Sequence, residues 1–291
     1  MSLTDRARGL LELTRPGNAV AAGVLTFTGA YVGDDIFGAL WPVALAVAAT
    51  AFATGAGNAV NDYFDREIDR INRPDRPIPR GAVSPRGALL FSAALFLAAT
   101  ACAVQLPAAA IAIAVVNLAA LVAYTKLFKG LPGIGNAVVA YLTGSAFLFG
   151  DAAVPTNDGG GPFSSATLVL FALAAVATLT REIVKDVEDV AGDREEGLRT
   201  LPIAIGERPA LWLGVVAMVL AAAASVLPYL RGTFGPVYLA LVVPADAVMV
   251  GAALRSFRDP TGSQRRLKHG MFLAAGAFIA GRTAAILGFG A

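Results

Sequence analysis

The chain has 291 residues, of which 56% are hydrophobic and only 15% are charged. About a quarter of the residues in a soluble globular domain are charged, so this composition excludes an ordinary soluble domain and predicts an integral membrane protein. The formal net charge of +2 gives no support for nucleic-acid binding.

Nine apolar runs are long enough to cross a bilayer as helices, which takes roughly 20 residues. They occupy residues 16–32, 39–61, 87–104, 107–125, 132–150, 163–184, 209–229, 234–254 and 270–289. The first run lacks a small-x-small cleavage signature, so we expect a retained helix and not a removed signal peptide. The sequence therefore predicts an all-α, polytopic membrane protein with nine transmembrane helices in a bundle, and residues 1–291 form a single domain.

Charge placement predicts the orientation of these helices. Nearly all of the 23 lysines and arginines fall before the first run or in 66–86, 126–129, 181–208 and 255–268. By the positive-inside rule these segments and the amino terminus face the cytoplasm. We expect a multi-pass protein of the cell membrane, in contact with membrane lipids, whose carboxyl terminus lies outside.

Two triplets of aspartates share one spacing, three residues and then four. They are Asp62, Asp65 and Asp69, and Asp186, Asp189 and Asp193. On a helix that advances about 100° per residue, each triplet falls within a wedge of roughly 60° and can aim three carboxylates in one direction. A single triplet is also typical of a solvated acidic helix end. The repeated spacing favours one strongly negative, cation-requiring site, with both triplets on the cytoplasmic side.

Cations and polar side chains near the triplets are candidate substrate-binding residues. Arg73, Arg76 and Arg80 follow the first triplet in a proline-rich loop, and their forked guanidinium groups suit phosphate oxygens. Lys126 and Lys129 follow the fourth run, where they either mark the inner face or balance a substrate phosphate. The remaining candidates are Asn18, Asn58 and Lys185 for binding and Tyr124 beside the reacting carbon.

Short repeats indicate two related halves. Gly-Asn-Ala-Val occurs at 17–20, 57–60 and 135–138, and Arg-x-x-Pro ends both acidic loops, at 76–79 and 199–202. We therefore expect two four-helix halves plus a ninth helix. For Asn136 the spacing favours helix packing with a cross-helix hydrogen bond. Asp246 is either a functional intramembrane acid or the ion-pair partner of Arg282.

Carboxylate oxygens suit Mg²⁺, which prefers a few carboxylates together with substrate phosphate oxygens. The sequence has one cysteine and one histidine, too few for a zinc, haem or iron–sulfur centre. Two aspartate clusters holding Mg²⁺ on a diphosphate would stabilise it as a leaving group. A long apolar substrate chain would lie among the helices.

These motifs resemble the two signature motifs of the UbiA superfamily of intramembrane prenyltransferases, and the resemblance covers essentially the whole chain. It implies Mg²⁺-dependent ionisation of an allylic prenyl diphosphate and capture by an acceptor. Carried over by position, the metal-binding set is Asn61, Asp62, Asp65, Asp69, Asp186, Asp189 and Asp193, with Asp62 and Asp186 supporting. Asp65, Asp69, Asp189, Asp193 and Tyr124 would be catalytic. The family often has Tyr-x-x-x-Lys, so both Lys126 and Lys129 stay candidates.

The wording of the motifs is most similar to the branch of the superfamily that acts in archaeal ether-lipid synthesis. The acceptor would then be a lipid phosphate, the free hydroxyl of geranylgeranylglyceryl phosphate, and the donor geranylgeranyl diphosphate. An alternative is an aromatic acceptor, as in quinone or chlorophyll-type synthesis. A distant alternative is a non-enzymatic transporter, because an intramembrane Asp and two halves also occur in transporters. The sequence indicates no protein partner.

Overall fold

The computed structural model of the chain describes residues 3–124, 128, 131–155, 161–195 and 197–289, and over these residues it is all-helical. Thirteen helices follow one another in this part of the chain. They are α1 (Leu3–Leu13), α2 (Pro16–Gly33), α3 (Leu40–Phe64), α4 (Arg66–Asn72), α5 (Pro85–Ala103), α6 (Ala108–Ala123), α7 (Ile134–Ala152), α8 (Ser165–Glu195), α9 (Leu201–Ile205), α10 (Glu207–Ala224), α11 (Leu227–Leu230), α12 (Pro236–Arg255) and α13 (Pro260–Ile286).

Each predicted apolar run coincides with one long helix, in chain order α2, α3, α5, α6, α7, α8, α10, α12 and α13. The additional helices α1, α4, α9 and α11 are short. Within the described residues, five helical segments are long and apolar enough to cross a membrane, and α6 is apolar but shorter. The five are α3, α5, α8, the segment 207–230 and α12. The fold is that of an integral membrane protein.

Helix packing follows the same order in two parts of the chain. In the first part α2 packs on α3, α3 on α5 and α5 on α6. In the second part α7 packs on α8, α8 on α10 and α10 on α12. The first helices of the two parts, α2 and α7, pack on each other, and α13 packs on α12, α8 and α2. The two parts are therefore joined through α2, α6, α7 and α13, because α6 also packs on α7.

The contact between α2 and α7, the α2–α7 seam, depends on glycines. A Cβ atom at Gly29 would overlap the backbone of Phe147, and one at Gly150 would overlap the carbonyl group of Thr26. Gly29 and Gly33 are four residues apart on α2, which is the small-xxx-small spacing that lets membrane helices approach closely. Larger side chains at these glycines would force the two helices apart.

Two helices, α8 and α13, are longer than the apolar runs that predicted them. α8 has 31 residues and at 1.5 Å per residue spans about 46 Å, well beyond the roughly 30 Å hydrocarbon core. Because the charged residues of α8 lie towards its end, we infer that these last turns, which carry the triplet, extend past the apolar layer. α13 begins before the run predicted at 270–289, because the Asp259 side chain caps it by accepting a hydrogen bond from the Gly262 backbone N–H at 2.9 Å.

Asp246 and Arg282 do not form the ion pair that was one of the two interpretations. The Asp246 carboxylate accepts a hydrogen bond from the Ser225 hydroxyl at 2.5 Å. Within the described part of the chain, no ion pair joins Asp246 to Arg282, and the Arg282 Nε is buried without a hydrogen-bond partner. The ion-pair interpretation is therefore wrong, because a neighbouring hydroxyl satisfies the carboxylate instead.

Candidate active site

The first aspartate triplet spans a break between two helices. Asp62 belongs to α3 and Asp69 to α4, whereas Asp65 lies between them with φ −82° and ψ 0°. The expectation that one helix carries all three is wrong here. Two of the three carboxylates still point towards a common place, because the Arg76 guanidinium lies 3.3 Å from Asp62 and 2.5 Å from Asp69. Both residues are buried: Asp62 exposes 4% of its surface and Asp69 exposes 5%.

Arg15 is a second cation on the first triplet. Its Nη2 atom lies 2.6 Å from the Asp62 carboxylate. Arg15 joins α1 to α2 with φ +48°, the one non-glycine residue with positive φ in the described part of the chain. Asn58 fixes this corner, because its side-chain amide donates a hydrogen bond to the Thr14 carbonyl at 2.9 Å. A positive φ strains the backbone of any residue that has a Cβ atom, and such strain is often found at functional sites.

The three arginines predicted as a diphosphate clamp lie in different environments. Arg76 bridges the two buried carboxylates of the first triplet. Arg80 lies 2.6 Å from Glu12 of α1, and the guanidinium lowers the pKa of that carboxyl. Arg73 is exposed at the end of α4. Arg76 and Arg80 thus hold the loop to α1, α3 and α4, and a role on diphosphate stays a prediction for all three.

The second triplet lies on one uninterrupted helix, α8. Asp186 is buried, and its carboxylate accepts a hydrogen bond from the Asn136 side-chain amide of α7 at 2.8 Å. The expected cross-helix hydrogen bond of Asn136 is therefore present, and its partner is the triplet itself. Lys185 lies 3.4 Å from Asp189. Asp193 is half-buried near the end of α8.

Tyr124, the residue that follows α6, lies within electrostatic reach of both motifs. The charged groups that act electrostatically on its hydroxyl come from both motifs: Asp65 from the first, and Glu182, Lys185 and Asp186 from α8. One aspartate of each triplet, Asp65 and Asp186, thus acts on the same phenol, and the facing of the two whole triplets stays a prediction. Lys126 and Lys129 lie outside the described residues.

Two apolar cavities lie next to each other beside these motifs. The first, the Asn61 cavity, has a volume of about 400 Å³ and lies among α3, α5, α6 and α7, with Asn58 and Asn61 on its wall. The second, the Tyr124 cavity, has a volume of about 540 Å³ and is lined by Asn18, Tyr124 and residues of α8, α10, α12 and α13. Both volumes are typical of small-molecule sites. The five residues common to both walls are Thr50, Thr54, Leu121, Leu142 and Ala146.

Sequence reasoning missed three charged residues on the wall of the Tyr124 cavity: Arg181, Glu182 and Lys268. Arg181 and Lys268 contributed only to the predicted orientation, and Glu182 received no role. Lys268 was placed in a loop, whereas it belongs to α13. A signal was present, because Lys268 precedes apolar residues at helical spacing along 271–278.

The match to known protein families decides between an enzyme and a transporter. The model of the "UbiA prenyltransferase family" matches residues 22–276. This chain belongs to the UbiA prenyltransferase family. It is therefore a prenyltransferase of the membrane, and the transporter alternative gains no support.

Within the UbiA family, the chain is similar to several individual proteins over nearly its whole length. A digeranylgeranylglyceryl phosphate synthase from Natronomonas pharaonis is 61% identical over 97% of this chain and 99% of its own length. A solved structure of a digeranylgeranylglyceryl phosphate synthase is 33% identical, covers 95% of this chain and 98% of that one, and gives a TM-score of 0.81. A UbiA homologue from Archaeoglobus fulgidus, solved with GPP and Mg²⁺, shares the fold with a TM-score of 0.67, 21% identity, and coverage of 96% and 99%.

The donor atoms of this family member suit Mg²⁺ by type. Both motifs offer carboxylate or amide oxygens, and the residue ranges that the structure covers contain no group of three or more His, Cys, Asp or Glu arranged to hold a metal. Mg²⁺ is usually held by one or two carboxylates plus substrate phosphates and not by an all-protein cage. The chemistry of the donor set therefore fits a metal that enters with its phosphate ligand.

Proposed function

We propose that this chain transfers a geranylgeranyl group from geranylgeranyl diphosphate to the free hydroxyl of geranylgeranylglyceryl phosphate, releasing diphosphate. One observation carries the proposal: two adjoining apolar cavities, each of which has polar residues of the motif region on its wall. A reaction between two lipids needs space for two prenyl chains side by side. The 61% identity to a digeranylgeranylglyceryl phosphate synthase supports the same substrates.

The reaction breaks the bond between the allylic carbon and the diphosphate oxygen, and it forms an ether bond to the glycerol hydroxyl. Diphosphate leaves with the bonding electron pair, and the hydroxyl proton is released after attack on the allylic cation. Mg²⁺, when bound, neutralises the leaving diphosphate. The apolar walls exclude water, which would otherwise capture the cation.

Specific residues take these roles in the proposal. Asn61, Asp65, Asp69, Asp189 and Asp193 provide the metal-binding oxygens, whereas Asp62 and Asp186 act as supports. Asp62 and Asp186 are buried and bonded to Arg15 and Asn136, and Asp69 is buried and bonded to Arg76, so the division between ligands and supports rests on the family resemblance. Tyr124 lies beside the allylic carbon. The candidates for substrate binding are Asn18, Asn58, Arg73, Arg76, Arg80, Lys126, Lys129 and Lys185.

We further propose that residues 1–291 form one domain whose nine long helices all cross the membrane. The repeated packing order, α2–α3–α5–α6 and α7–α8–α10–α12, supports two related halves with α13 added. The lysines and arginines near the motifs support a cytoplasmic position for both triplets and for the amino terminus, and an outside position for the carboxyl terminus.

The decisive test offers the purified protein radiolabelled geranylgeranyl diphosphate and Mg²⁺ with one acceptor at a time. The acceptors are geranylgeranylglyceryl phosphate, a hydroxybenzoate and a naphthoate, and an Asp189→Ala variant purified in parallel controls for contaminating activity. We expect label to enter the glycerol lipid alone. Transfer only to an aromatic acceptor would refute the ether-lipid assignment while leaving prenyl transfer intact.

A further inference from the structure

Cations are scarce on the walls of the two cavities. In the ranges that the structure describes, only Arg181 and Lys268 line either cavity with a positive charge. Arg181 lies 2.6 Å from the Glu182 carboxylate, which is on the same wall. Lys268 forms no ion pair with any described side chain. It is therefore the cavity cation whose charge remains available to a ligand.

Lys268 is the first residue of a continuous stripe along one face of α13. Lys268, Met271, Phe272, Ala275 and Phe278 all line the Tyr124 cavity, and their spacing of three or four residues places them on one helix face. The stripe thus begins with an ammonium group and continues with apolar side chains. A molecule with an anionic head and a long apolar chain has the complementary pattern.

The beginning of α13 is fastened to α8 beside the second triplet. Gln264, one turn before Lys268, accepts a hydrogen bond from Arg181 at 3.4 Å and donates one to Glu188. The Thr261 hydroxyl donates to the same Glu188 carboxylate at 2.8 Å. These bonds place Lys268 at the polar end of the cavity, close to the second motif.

We propose that Lys268 binds the phosphate monoester of the acceptor lipid while the acceptor's prenyl chain lies along the α13 stripe. This inference rests on the proposed function and assigns the second anionic group of that reaction. In that reaction the donor diphosphate would be bound through Mg²⁺ held by the oxygens of the two aspartate motifs. The acceptor phosphate has no such partner, so it needs a protein cation, and lysine binds phosphate as a point charge. Glu182 does not oppose this, because Arg181 neutralises it.

The test measures steady-state kinetics for Lys268→Met with each substrate varied in turn. We expect the KM for geranylgeranylglyceryl phosphate to rise about 10-fold or more, because a hydrogen bond to a charged group is lost, and the KM for geranylgeranyl diphosphate to stay within about twofold. Lys268→Arg retains the charge and should keep the acceptor KM near the original value. Arg265→Gln, an exposed change on α13 away from the cavity wall, is the matched control.

A second readout compares geranylgeranylglyceryl phosphate with unphosphorylated geranylgeranylglycerol as acceptors. The original protein should prefer the phosphorylated lipid, and Lys268→Met should lose most of that preference. An unchanged acceptor KM, or a rise confined to the donor KM, would overturn the assignment of Lys268. Failure of the original protein to use geranylgeranylglyceryl phosphate at all would instead refute the proposed function. Gel filtration in detergent checks that each variant remains folded.

Discussion

Arg76 and Arg80 lie four residues apart in one loop, and the structure predicts very different stability costs for removing them. The Arg76 side chain is 18% exposed and contacts two carboxylates that are 5% and 7% exposed. The pair of Arg80 and Glu12 is 37% and 34% exposed. Arg76→Ala therefore leaves buried charge without its partner, whereas Arg80→Ala breaks a pair that water can solvate.

The magnitudes follow from this burial. Removing one partner of a buried ion pair costs about 3–5 kcal/mol, and Arg15 still neutralises Asp62, so we expect about 3 kcal/mol for Arg76→Ala. Water screens an exposed pair, so Arg80→Ala should cost far less than Arg76→Ala. The double variant Arg76→Gln with Asp69→Asn should be more stable than Arg76→Ala, because it removes both charges.

The assay is reversible unfolding by sodium dodecyl sulfate in mixed micelles, followed by far-UV circular dichroism. Free energies of unfolding are compared for the original protein, the two single variants and the double variant. Arg80→Ala serves as the matched control, since it also removes an arginine from the same loop. Equal losses for Arg76→Ala and Arg80→Ala would refute the reasoning from burial.

Two further predictions concern the motifs and the topology. Asp65→Ala and Asp189→Ala should each abolish turnover at saturating Mg²⁺ while circular dichroism stays unchanged; turnover near the original rate in either variant would contradict a shared site. In a Cys102→Ala background, a cysteine at Gly161 should react with an impermeant maleimide added outside the cell, and a cysteine at Arg194 should not. The opposite labelling pattern would reverse the orientation.

The long helices could be predicted from the sequence because length and apolarity alone determine them. Every predicted run became a helix, and errors were confined to ends such as the start of α13 at Pro260. The break at Asp65 could not be predicted, because no glycine or proline lies near it. There the Arg66 side chain donates a hydrogen bond to the carbonyl oxygen of Tyr63 at 2.8 Å, a local bond that residue type alone does not indicate.

For the site, the sequence was more informative about the aspartates than about the arginines. The repeated aspartates predicted that the two motifs face each other, and one residue of each triplet, Asp65 and Asp186, acts electrostatically on Tyr124. The loop arginines looked equivalent, yet their partners Asp62, Asp69 and Glu12 are set by where α1 and α4 pack. Residue type shows which groups an arginine can bind. Only the packed structure shows whether a carboxylate of the protein is already paired with that arginine.

The close backbone contact at the α2–α7 seam has a consequence for lipid traffic. Helices in contact through glycine and backbone leave little space between them, so an isoprenoid tail is not expected to pass between α2 and α7. α6 is the opposite case: it forms part of the Asn61 cavity wall, and only Ala110 and Ile113 of its sixteen residues are buried. Much of α6 thus faces the surroundings of the bundle while its other face lines the Asn61 cavity, so this helix separates that cavity from the bilayer.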